Sequence, residues 1–221
     1  MSKIVFFDIC QDNLRKVFED RLEGGNSTMQ ISAGEKTRRQ ILEGALAVID
    51  KEGVDAVTHR RVGSEAEQSH GVVSYHFPTR DVLIQKAFEF HLGSAENYMS
   101  ALGWRSDQRL TRAHLSKLLT RLVARELADA RSIKIDLELS LYGARKPALA
   151  ELFDNWVRIG CENLSLALHH SGYDHPDELA RSLINLVRGF LLEYLTNKTL
   201  TKFDFQARLE LLLPASPNAE M

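Results

Sequence analysis

Apolar positions recur at steps of three and four residues along most of the chain, a spacing that predicts helices nearly throughout. From Glu35 to Lys51, Ile41, Leu42, Ala45, Leu46, Val48 and Ile49 follow that spacing, and Gly53 supplies a stop. Between Thr58 and Leu83 the predicted elements are shorter. Thr58 and Ser69 are placed to cap two brief helices, because a hydroxyl there accepts from N–H groups that a first turn leaves open. Val62 and Ala66 share one face of the first short helix, Val72 and Val73 point inward from the second, and Phe77 closes the apolar contact before Pro78 ends the run. Thr79 then caps a longer helix that carries Leu83, Ala87 and Phe90 and continues towards Met99 and Trp104.

Downstream, one segment is ambiguous. Ile133, Ile135, Leu137, Leu139 and Leu141 alternate as a strand would. A lone strand has no partner here, whereas a helix places Ile133, Leu137 and Leu141 on one stripe and Ile135, Leu139 and Tyr142 on a second, so the segment reads as a helix buried on two sides. Pro147 suits the first turn of the next helix, which runs past Trp156, Ile159, Leu164 and Leu168 to Gly172. The helix beginning near Pro176 is apolar on more than one face, and a further helix follows with Phe203, Phe205, Leu209 and Leu212. Two such helices from each of two subunits would bury both faces in a two-fold bundle. At the other end, Leu14, Val17, Phe18 and Leu22 share one face of a possible extra helix. The alternative is that Met29 is the natural start, with Ser32 and Glu35 at capping-box spacing just beyond it.

The composition is that of an ordinary globular protein, with 221 residues and a formal charge of -2. That charge does not exclude nucleic acid, which needs only a local basic face. Around the short helices Arg60, Arg61 and Arg80 are opposed by Glu65, Glu67 and Asp81, so two copies of the chain are implied for tight binding. Cys10 and Cys161 have no spacing suited to zinc or disulfide exchange, and the histidines at 59, 70 and 76 match no zinc pattern. Neither a metal nor a cofactor is expected. No apolar run reaches the roughly 18 to 20 residues that a membrane helix needs, so the chain is expected in the cytoplasm. Motifs of hydrolases, phosphate-binding loops and zinc proteases are missing, which argues against an enzyme.

Thr58, the spacing of Val62 and Ala66, Ser69, Gly71 and the closing run Tyr75-His76-Phe77-Pro78-Thr79-Arg80-Asp81-Val82-Leu83, preceded by the helix from Glu35 to Lys51, resemble the TetR family of bacterial transcription regulators. Two positions depart from the family's pattern: Glu67 and Gln68 stand in the turn where a glycine and a small apolar residue are usual, and Ser74 stands where a tyrosine is common. The resemblance implies an all-α chain. An N-terminal three-helix helix-turn-helix domain at 33–83 would be followed by a larger helical ligand-binding and dimerisation domain at 84–213, flanked by an extension at 1–32 and a disordered tail at 214–221. It further implies a homodimer that binds a palindrome in double-stranded DNA, most often as a repressor, and answers to a small-molecule effector. The alternative is a helical small-molecule binding protein or enzyme of this fold that has lost operator recognition.

On that reading His70, Gly71 and Val72 approach the bases, with Ser69 capping their helix. Ser74, Tyr75, His76 and Arg80 serve the phosphates, and Thr58 and Arg60 meet the flanking backbone. Met99, Trp104, Leu137, Tyr142, Trp156 and Phe190 are candidate linings of an effector pocket. Leu183, Val187, Phe190, Leu191, Tyr194 and Leu209 are the candidate dimer contacts.

Overall fold

The computed structural model describes residues 32–101 and 109–215, with the side chains of 94–101 and 148 outside the description. The extra helix within 1–28, the alternative start at Met29 and the tail beyond 215 therefore lie outside the described residues. Contacts divide the chain into Met1–Thr37 and Arg38–Met221. In the first unit, Ser32 Oγ accepts from the Glu35 N–H at 3.2 Å and Thr37 Oγ1 donates to the Ala33 carbonyl at 3.0 Å.

All regular structure among the described residues is helical: α1 (Ala33–Glu52), a 3-10 turn (Val54–Ala56), α2 (His59–Glu65), α3 (His70–His76), α4 (Arg80–Ala101), α5 (Arg112–Ala128), α6 (Ala130–Gly143), α7 (Pro147–His170), α8 (Pro176–Thr196) and α9 (Lys202–Leu212). Capping residues set the starts. Thr58, Ser69, Thr79 and Thr111 each accept from the N–H three residues on, at 3.1 to 3.2 Å, and Thr201 and Asp204 form a reciprocal capping box. Pro147 and Pro176 occupy first turns, where the missing N–H leaves nothing unsatisfied. Gly172, at φ +78°, turns the chain out of α7.

Two apolar clusters hold the second unit together. One joins α1, the 3-10 turn, α2, α3 and α4 to Ile135, Leu139 and Tyr142 of α6 and Leu149 of α7. Ile84, Ala87, Phe88 and Leu92 belong to it, so the core runs on past Leu83. The other joins α5, α8 and α9 to the C-terminal part of α7, with Phe190 and Phe205 edge to face at 5.3 Å.

The alternating segment is the helix α6, but it is not buried on both sides. Ile135, Leu139 and Tyr142 lie in the core, whereas the other stripe fades from buried Ile133 through half-buried Leu137 to Leu141, which is 64% exposed. Four of the six expected dimer contacts also need correction. Leu183, Val187, Phe190 and Leu209 are buried in the protomer's own second cluster, Leu191 packs against it, and the half-buried Tyr194 donates to the Leu127 carbonyl at 3.2 Å. A helix apolar on several sides does not reveal by spacing alone which stripe its own chain will cover, and here α5 and α7 take the richest one. Left outward are Leu192 (53% exposed), Phe203 (67%) and Leu211 (86%). No described helix is long and apolar enough to cross a membrane.

Candidate nucleic-acid interface

Two glycines let α1, α2 and the following turn close on one another. A Cβ on Gly44 of α1 would lie 2.8 Å from the Ala66 Cβ, and one on Gly63 would lie 2.7 Å from the Gln68 carbonyl oxygen. The Gln68 N–H returns to the Gly63 carbonyl at 2.8 Å, which fixes the turn between α2 and α3. Within it Glu67 adopts φ +54°, a left-handed conformation that an L side chain takes only with strain. The end of α3 is tied back to the start of α2, because His59 Nε2 donates to the Phe77 carbonyl at 2.6 Å. That bond turns His59 inward from the outward face its spacing predicts. Its ring lies 5.9 Å from that of His70, so the two helix starts are neighbours.

With only Val73 fully buried, α3 contributes one anchor to the core and leaves the rest of its surface available. His70, Gly71 and Tyr75 are exposed, Tyr75 by 84%, and Val72, Ser74 and His76 are half-buried. The Tyr75 and His76 rings meet edge to face at 5.3 Å. Thr58, Arg60 and Ser69 are exposed as well. The hydroxyls of Thr58 and Ser69 accept cap bonds and keep their own O–H to donate, which suits them to phosphate oxygens.

Arg80 differs from its expectation as a free phosphate ligand. Its guanidinium donates to the carbonyls of Val57 at 2.8 Å and Val54 at 2.9 Å and to the Tyr142 hydroxyl at 3.0 Å, with Asp55 at 3.7 Å. Other cations of the domain are engaged too. Arg61 meets Glu52 at 2.5 Å and Glu65 at 2.9 Å, Lys51 meets Glu65 at 2.5 Å and Arg39 meets Glu43 at 2.9 Å. Hydrogen bonds from Lys51 and then Arg61 hold the Glu65 carboxyl below its ordinary range. Arg60 and Arg38 have no carboxylate partner among the described ion pairs. Arg38 lies over the Phe77 ring at 5.5 Å and was not anticipated, although its place three and four residues before Ile41 and Leu42 puts it at the core edge.

Of the six expected pocket residues, the four whose side chains are described do not line one cavity, although Trp156 packs against the cluster that holds Tyr142. Trp104 and the Met99 side chain lie outside the described residues, Leu137 and Trp156 are half-buried, and Tyr142 and Phe190 sit in different clusters. Among the described residues an open groove of about 610 Å³ lies between α1, the α2–α3 turn, α4 and the start of α6, bordered by Glu43, Glu67, His91 and Arg131. Behind it His91 Nε2 lies 2.7 Å from Asp136, and burial followed by the nearby Asp136 charge raises the Glu126 carboxyl above its ordinary range. No group of three or more metal-ligating side chains occurs among the described residues.

A trihelical head with a capped, outward-facing third helix on an all-helical body defines a helix-turn-helix regulator. Residues 41–87 match the family described as bacterial regulatory proteins, tetR family, and residues 110–216 match the tetracyclin repressor-like C-terminal domain. The chain belongs to the TetR family. No curated protein sequence matches it. Among solved structures it is similar to a TetR-family member from Streptomyces coelicolor, at 25% identity and a TM-score of 0.69 over 81% of this chain and 99% of that one. A transcriptional regulator from Rhodococcus superposes with a TM-score of 0.69 at 19% identity, over 79% and 92% of the two chains. The multidrug binding protein EbrR, in complex with imidazole, gives 0.63 at 24% identity, over 83% and 98%.

Proposed function

We propose that the protein is a ligand-responsive transcriptional regulator that binds a palindromic operator as a homodimer, most often to repress. The observation that carries this reading is α3 itself. A helix of seven residues is too short to persist alone, yet here it is capped, anchored by Val73 and pinned by His59 with Tyr75, His70 and Gly71 outward. Such a helix presents side chains rather than filling a core. His70, Gly71 and Val72 would face the bases, while Thr58, Arg60, Ser69, Ser74, Tyr75, His76 and Arg38 would hold the backbone. Arg80 leaves that set.

The small bare charge on one head favours two copies. Leu192, Phe203 and Leu211 supply an outward apolar surface on α8 and α9 where a second copy would pack. The two α3 helices would then stand about 34 to 36 Å apart, or at a related spacing, to enter major grooves on one face of the duplex. An effector bound in the helical body acts by favouring the arrangement in which that spacing is lost.

Footprinting of purified protein on DNA upstream of its own gene, at two salt concentrations, tests the reading. Protection of a palindrome with a steep salt slope is expected. Weak, sequence-independent binding there and across a genomic library would overturn it. The paired cations favour one second reading, a binding protein of this fold without an operator. An Arg60→Ala, His76→Ala double variant that folds and leaves cellular regulation unchanged would support that second reading.

A further inference from the structure

The guanidinium of Arg80 stands at the base of the reading head. Val57 directly precedes Thr58, the cap of α2, and Arg80 opens α4 just after α3, so the 2.8 Å bond from Arg80 Nε to the Val57 carbonyl closes the segment 57–80 into a loop holding both short helices. A second bond, from Nη2 to the Val54 carbonyl at 2.9 Å, ties that loop to the 3-10 turn after α1. The remaining donor, Nη1, leaves the head and meets the Tyr142 hydroxyl of α6 at 3.0 Å. Tyr142 is only 6% exposed, and its ring lies 5.5 Å from the guanidinium carbon.

The Tyr142 hydroxyl works in both directions. While accepting from Arg80 it donates to Asp81 Oδ1 at 3.1 Å, and Lys146 Nζ holds the other oxygen of that carboxylate at 3.2 Å. These bonds, the Lys146 bond first, keep the Asp81 carboxyl below its ordinary range. One helical turn earlier on α6, Glu138 accepts from the Val54 N–H at 3.3 Å. The C-terminal part of α6 thus engages the backbone of the 3-10 turn directly through Glu138 and indirectly through Arg80. A guanidinium held at three donors is fixed in rotation as well as position, and bonds of this length fail when α6 moves by about an ångström.

We propose that Tyr142 is a positioning residue for operator binding, setting the attitude of the helix-turn-helix head on the body through Arg80. This rests on the regulator reading above. It assigns Arg80 a task inside the protein instead of at a phosphate.

A double-mutant cycle on the full-length chain tests it, with affinity for operator and for unrelated DNA measured at two salt concentrations. Tyr142→Phe keeps the ring in place and removes the hydroxyl bonds. It is expected to weaken operator binding about five- to tenfold, the effect of one to two hydrogen bonds, with non-specific affinity and salt slope unchanged. Arg80→Ala is expected to weaken operator binding with the same salt slope as wild type, and the double variant to be no worse than Arg80→Ala alone. Amide exchange should quicken at Val54–Val57 in Tyr142→Phe while the α5–α9 core keeps its protection, which separates loss of positioning from loss of fold. A Tyr142→Phe protein that binds operator as wild type does would overturn the proposal. So would an Arg80→Ala salt slope reduced by about one, the mark of a lost phosphate contact. If the wild-type chain itself binds no operator, the regulator reading falls instead, and with it any positioning for DNA.

Discussion

The strained turn residue offers the sharpest check on how the head is built. Glu67 holds φ +54° between α2 and α3 and is exposed, so its replacement alters backbone preference more than packing. A left-handed L residue costs roughly 1 to 2 kcal/mol. Glycine removes that cost but brings roughly 0.4 to 1 kcal/mol of added freedom to the unfolded chain. Glu67→Gly should therefore stabilise the protein by about 0.5 to 1 kcal/mol, which for a chain of this size raises Tm by about 1 to 4 °C. The assay is thermal unfolding of wild type, Glu67→Gly and Glu67→Ala at one protein concentration, since self-association would otherwise shift Tm. Alanine removes the same charge and keeps the strain, so it should give no comparable gain. A glycine variant no more stable than wild type, or an alanine variant equally stabilised, would refute the strain argument.

Gly63→Ala should destabilise the head by about 1 to 3 kcal/mol, because the new Cβ would meet the Gln68 carbonyl oxygen of the same turn at 2.7 Å; urea unfolding measures it. The Glu126 carboxyl is raised above its ordinary 4.5, first by burial and then by Asp136, so its contribution favours folding fully below 4.5 and is lost as pH rises through the folded value. Glu126→Gln should consequently be more stable than wild type at pH 7.5, with the difference shrinking towards pH 4.5 in parallel urea titrations. Phe203→Glu with Leu211→Glu changes two exposed positions of α9 and should convert the proposed dimer into a folded monomer, read by sedimentation beside the wild type; an unchanged mass would remove α9 from the proposed interface.

What was legible in the sequence was what is decided locally. Thr58, Ser69 and Thr79 cap where their spacing places them, because a cap needs only the next turn of its own chain. The helical reading of α6 held for a related reason, since an isolated strand has nowhere to satisfy its backbone. Arg80 was misread because its decisive partner, Tyr142, lies 62 residues further on, and a cation beside a reading helix looks the same whether it faces phosphate or carbonyls. The inward turn of His59 was hidden for a similar reason, its acceptor being a backbone carbonyl 18 residues away. On α8 the difficulty was abundance. Leu183, Val187, Phe190 and Leu192 are all suited to an interface, and only the positions of α5, α7 and α9 decide that the first three are interior.

The ion pairs around Arg61, Lys51 and Arg39 bear on how many molecules a cell would need. Each cation already neutralised within the head releases fewer counterions from an arbitrary duplex, so background attachment to the genome's roughly 10⁶ to 10⁹ competing sites is weakened. A regulator built this way loses little of its free pool to irrelevant sequence. If the chain binds an operator as proposed, a small number of copies would then suffice to keep it occupied.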